Sequence, residues 1–78
     1  MEKRIIAFSP NMKNGLDDDY TLYEDGTVIH DFDEHRYPGG YNLKRRLNAI
    51  DLKSDIKSRL INVTSEEDKE LARTLLNL

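Results

Sequence analysis

The fold class predicted for this chain is α+β: a small three-stranded antiparallel sheet, built from one β-strand plus a β-hairpin, followed by two or three helices packed on one face. Three observations predict it. Two runs rich in Tyr, Thr, Val, Ile and Phe flank the turn Glu24-Asp25-Gly26. A shorter run of the same character lies at Lys3 to Phe8. Beyond residue 50 the apolar residues switch to helical spacing.

The first strand, Lys3 to Phe8, carries Ile5, Ile6 and Phe8 and stops at Ser9-Pro10, because proline has no N–H to donate to a ladder. Asn14-Gly15 is a turn dipeptide and returns the chain toward the hairpin.

The hairpin, Asp18 to Glu34, allows two registers. A two-residue Asp25-Gly26 turn sets Tyr23 opposite Val28 and mixes both faces. A three-residue loop with Gly26 in the left-handed region sets Leu22 opposite Val28 instead. The second register gathers Tyr20, Leu22, Val28, His30 and Phe32 on one face and Thr21, Tyr23, Thr27, Ile29 and Asp31 on the other. A one-residue slip moves every side chain across the sheet, so the cleaner segregation selects the three-residue loop.

Tyr37-Pro38-Gly39-Gly40-Tyr41 breaks the strand and predicts an exposed loop. Over 42–50, Leu43, Leu47 and Ile50 have helical spacing with Asn42 as a cap, which predicts a short helix, although a strand also fits so short a stretch. Leu52, Ile56 and Leu60 recur every fourth residue and predict a helix to Asn62, with Asp55-Arg59 as a surface pair. The last helix has Thr64 or Ser65 as its cap, with Glu67 or Asp68 completing a capping box. Its apolar stripe reads Leu71, Ala72, Leu75 and Leu78, with Leu76 at the margin, and predicts a docked C-terminal segment.

Seventy-eight residues make a single domain, 1–78, in the size range where one core leaves only ~3–5 kcal/mol of net stability. With no cysteine there is no disulfide and no thiolate metal site. The opening apolar run, Ile5 to Phe8, is too short for a signal peptide or a membrane span, so a cytoplasmic location is expected and membrane insertion is not. Net charge is −3, which argues against general nucleic-acid binding. The acids concentrate before residue 42 and the bases after it, which predicts a hairpin drawn electrostatically to the helical layer.

Candidate chemistry is sparse. His30, Asp31, Asp33, Glu34 and His35 are metal-ligating types, but strand alternation sends His30 and Glu34 one way and Asp31, Asp33 and His35 the other, so a regular strand does not converge them on an ion. Asp17-Asp18-Asp19 lacks the ligand spacing of a calcium loop. There is no nucleophile motif and no phosphate-binding glycine loop, so neither an enzyme nor a cofactor is expected; a small metal-dependent enzyme is the weakest reading. Lys44, Arg45 and Arg46, beside Tyr37 and Tyr41, give a nucleic-acid-binding alternative, set against the plainer reading of a solvated basic face. Tyr23, Ile29, Tyr37 and Tyr41 carry the leading expectation. Tyrosine gives large contact area at low entropic cost, which suits a surface that binds a protein partner or a second copy of the chain. Ordinary β-propensity explains the same residues without any partner.

Overall fold

The computed structural model describes residues 3–13, 15–34, 39–40 and 42–78. Its strands are β1 (Ile5–Ser9), β2 (Met12–Lys13), β3 (Leu16–Tyr23), β4 (Thr27–Phe32) and β5 (Leu43–Asn48), and its helices are α1 (Ser54–Val63) and α2 (Lys69–Leu76). Short 3-10 turns at Ala49–Asp51 and Glu66–Asp68 precede the two helices. The class is α+β, with a main antiparallel sheet ordered β1-β3-β4-β5 and the two-residue β2 paired to the start of β3.

The hairpin takes the bulged register. Leu22 pairs with Val28, Thr21 with Ile29 and Tyr20 with His30. Gly26 has φ +88 and donates its N–H to the Tyr23 carbonyl at 3.0 Å, while the Asp25 carboxylate accepts from the Thr27 N–H at 2.9 Å. The Gly26 carbonyl then accepts from the Ala49 N–H at 2.9 Å, which ties the turn to the segment after β5.

The sheet has one more main strand than expected. Residues 43–48 form β5, not a helix, in regular antiparallel register with β4: Leu43 faces Phe32 and Leu47 faces Val28. Only after Asn48 does the chain coil, and Asn42, offered above as a helix cap, sits at φ 55 with its N–H on the Asp33 carboxylate. Sheet pairing wins because β4 offers an open edge and each inward leucine meets an apolar partner there.

Leu22 and Val28 from the hairpin, Leu60 from α1 and Leu76 from α2 are fully buried. At ~1.5–3 kcal/mol for each fully buried side chain, these four are the main stabilising contribution. Ile6, Ala7, Ala49 and Ala72 complete the buried core, and Tyr20, Leu47, Leu52, Ile56, Ile61 and Leu75 pack against it. Both helices therefore lie on the Leu22 face.

Other expectations are corrected at this level. The inward residues of α2 are Ala72 and Leu76, with Leu75 packed against them, while Leu71 and Leu78 stay exposed. The 3-10 turn at Glu66–Asp68 delays the α-helix to Lys69. No capping box forms: the Ser65 hydroxyl donates to the Asp68 carboxylate, and Asp68 instead pairs with Arg4 at 2.9 Å. Gly40, predicted exposed, is buried, and its carbonyl accepts from Glu34 N–H at 2.6 Å.

Candidate functional site

Strand alternation divides the candidate residues between the two faces of the sheet. On the helix side, Tyr20, His30 and Phe32 occupy adjacent positions across β3 and β4. Tyr20 and His30 stack with ring centroids 4.2 Å apart, and His30 stacks on Phe32 at 4.5 Å. A guanidinium lies over each end of this ladder: Arg59 over Tyr20 at 5.1 Å and Arg45 over Phe32 at 5.4 Å.

Asp18 closes the arrangement. Its carboxylate is 2.6 Å from His30 Nε2 and 3.3 Å from Arg59 Nη1. Burial pushes the Asp18 carboxyl up, but the hydrogen bonds and charges of His30 and then Arg59 outweigh it and hold the group below its ordinary value. Arg59 also donates to the carbonyls of Ser9 and Asp18 and to the Ser9 hydroxyl, so it does not form the pair with Asp55 that the helical spacing suggested. Beside the ladder is a partly open groove of about 410 Å³, floored by Leu47, Leu52 and Ile56 and rimmed by Arg45, Asp51, Lys53 and Asp55. The carboxylate orients the imidazole, yet the rim has mixed charge. Among the described residues, no group of three or more His, Asp or Glu side chains is placed to hold a metal ion, and no buried side-chain donor or acceptor lacks a partner. His35 lies outside the described residues, so the His30/His35 pairing does too.

The opposite face, turned away from the helices, carries the predicted interaction residues. Tyr23 pairs with Ile5, and Ile29 lies between Thr21 and Arg46, with Phe8 beyond Thr21 on the same row. Tyr23 and Ile29 are half-buried. The larger exposure belongs to three residues the sequence reading did not select: Ile5 at 54%, Phe8 at 50% and Met12 at 63%. Met12 pairs with Asp17 further along the same face, so the three lie in a row on its β1–β2 side, with Asp19 between Met12 and Phe8. Tyr37 and Tyr41 lie outside the described residues. Lys44, Arg45 and Arg46 are exposed on edge strand β5 and do not share a face: Lys44 and Arg46 point outward, Lys44 bridging Asp31 at 3.3 Å, while Arg45 reaches the groove.

No family model, no curated protein and no solved structure matches this chain.

The signal for the outward strip was present in the sequence. Once the hairpin register is fixed, pairing β1 beside β3 determines which of Ile5 and Phe8 face out. The irregularity between Ile5 and Ala7 hid it, because an extra residue at that point breaks simple alternation. The ladder was partly legible, since Tyr20, His30 and Phe32 were assigned to one face. Its partner Arg59 is hidden, because helical spacing pairs it with Asp55, which is nearer in sequence than Asp18.

Proposed function

We propose that this chain is a small protein-interaction module that binds a protein partner, another polypeptide or a second copy of itself, through the outward sheet face and its β1 edge. The observation that carries this reading is the strip Ile5, Phe8 and Met12, three large apolar side chains at least half exposed on one side of a small domain. Large apolar side chains exposed together on one face are what an interaction site presents to its partner. Tyr23 and Ile29 extend the strip toward the centre of the sheet, and Arg46, Lys44, Asp19 and Asp31 form a polar rim around it. An apolar centre with a charged rim is the usual anatomy of a protein–protein contact.

Nucleic-acid binding through Lys44, Arg45 and Arg46 is the competing outcome. Its three cations are split between faces, and Asp17, Asp19, Asp31 and Asp33 crowd the same end of the sheet, lining a cleft with Lys44. No helix among the described residues is long and apolar enough to cross a membrane.

The test is affinity capture followed by rebinding of the purified partner. The expected result is a partner that rebinds to the wild-type chain and is lost by the double variant Phe8→Ser and Ile29→Ser, with unchanged far-UV circular dichroism. Retention on single-stranded nucleic acid that falls steeply with salt and disappears with Arg46→Ala would overturn it in favour of the alternative.

A further inference from the structure

Backbone hydrogen bonding fixes what the β5 edge of the sheet offers. Ala49 donates its N–H to the Gly26 carbonyl, so Gly26 and Ala49 form a hydrogen-bonded pair at the end of the β4–β5 ladder. Such pairs alternate along an antiparallel ladder, and the register here is regular, so Val28–Leu47, His30–Arg45 and Phe32–Leu43 are hydrogen-bonded too. The Asp33 N–H on the Asp17 carbonyl sets the same phase from the β3 side of β4. Lys44, Arg46 and Asn48 therefore aim their N–H and carbonyl groups away from β4. Among the described residues β4 is the one strand beside β5, and those outward backbone groups have no hydrogen-bond partner.

This edge is also uncovered. α1 packs on β1 and β3, and α2 on the 3-10 turn that follows β5, which leaves Lys44, Arg45, Arg46 and Asn48 exposed. Lys44 bridges Asp31, whereas no carboxylate among the described residues pairs with Arg45 or Arg46. On its inner side β5 borders the groove floored by Leu47, Leu52 and Ile56.

We infer that β5 receives an extended acidic segment of another polypeptide, added to the sheet as a further strand. The incoming strand supplies donors and acceptors at the spacing of Lys44, Arg46 and Asn48, as strand addition to an open edge requires. Its side chains alternate between the two faces. The outward ones meet Lys44 and Arg46 and are acidic, while the inward ones pass beside Leu47 toward the groove and are apolar. A nucleic acid matches the charge but carries no row of N–H donors for the outward carbonyls. A second copy of β5 matches the backbone but sets three cations against three. The same cations thus deter self-pairing and select an acidic strand. This edge lies across the sheet from Phe8, so the inference stands apart from the reading of the outward strip.

The probe is an end-capped synthetic peptide of alternating Glu and Val, titrated into the isotope-labelled chain and followed by amide exchange. The expected result is slowed exchange at Lys44, Arg46 and Asn48, with Arg45 and Leu47 little changed because their N–H groups already bond to β4. Methylating alternate backbone nitrogens of the peptide keeps its charge and should abolish binding in the one phase that faces β5. Arg46→Glu should weaken the peptide by about tenfold and create binding of the matching Lys and Val peptide. Phe8→Ser, on the far edge, should leave binding unchanged. Absence of binding, equal binding of peptides methylated in either phase, or loss of binding with Phe8→Ser overturns the inference. So does a single-stranded oligonucleotide that binds through Arg46 and displaces the peptide. The outward strip is decided separately, by capture with the Phe8 and Ile29 double variant.

Discussion

Arg59, on α1, is bonded to both β1 and β3. It donates to the Ser9 hydroxyl and carbonyl, to the Asp18 carbonyl and carboxylate, and it covers the Tyr20 ring. Its side chain is only 23% exposed, so these bonds form in a partly desolvated setting where charge-assisted hydrogen bonds are stronger than surface ones. Replacing it by methionine keeps the aliphatic stem but removes every donor, and among the described residues leaves His30 as the one side chain bonded to the Asp18 carboxylate. Arg59→Met is expected to cost about 2 kcal/mol at neutral pH, in the range for hydrogen bonds to charged groups. The pH dependence has a definite sign. Asp18 is held below its ordinary value in the folded state, so its share of the stability is present above the unfolded carboxylate range and is lost as pH falls through the folded value. The difference between wild type and variant should therefore be widest above about pH 4 and narrow in acid. Urea unfolding of both proteins at pH 7 and pH 3 measures it. A difference unchanged by acid would mean that Arg59 acts through Tyr20 and the Ser9 carbonyl and not through the Asp18 charge.

Among the elements, the hairpin is set by its turn. Gly26 at φ +88 closes the three-residue loop, and a β-carbon there would meet Leu75 Cδ2 at 3.5 Å, an ordinary contact. Space is therefore available and the backbone angle is the obstacle. Gly26→Ala should destabilise the domain by about 1–2 kcal/mol through left-handed strain, visible as a lower midpoint in thermal unfolding. This element was readable from the sequence because two independent constraints, turn chemistry and face segregation, agreed on one register. β5 was not, for a physical reason. Leu43 and Leu47 are four apart, which suits a helix of period 3.6, but four is also even and suits a strand. Arg45, the inward residue between them, masks the alternation because it is charged, although its guanidinium ends over Phe32. In α2, Leu71, Leu75, Leu76 and Leu78 describe two overlapping stripes. The choice between them rests on which residues meet the rest of the core, and Ala72 and Leu76 do so with Leu75 beside them. Helix C-terminal chemistry was equally hidden: Asn77 at φ 59 lets its own N–H and that of Leu78 reach the Thr74 and Arg73 carbonyls, a Schellman closure with asparagine in the position glycine usually holds.

At the scale of the whole molecule, the four largest fully buried side chains come from the hairpin, α1 and α2, so the sheet and both helices contribute to one core. The expected attraction between the acidic hairpin and the helical layer appears in Arg59–Asp18, while Lys44–Asp31 joins two strands and Arg4–Asp68 runs the other way. Outward from the core the two sheet faces separate their tasks. The helix side satisfies its polar groups internally, through the ladder and Asp18, while the far side leaves its apolar strip to the surroundings.

The Arg59 contacts reach across 50 residues to Ser9 and 41 to Asp18, which has a consequence for how the native state loosens. When α1 lifts, the Ser9 end of β1 loses its clasp in the same event, so the two segments form one cooperative unit of partial opening. Native-state amide exchange should report a shared opening free energy for α1 and the end of β1, below that of the β3–β4 ladder. Separate opening energies for the two segments would mean that the helix and the edge strand come apart independently.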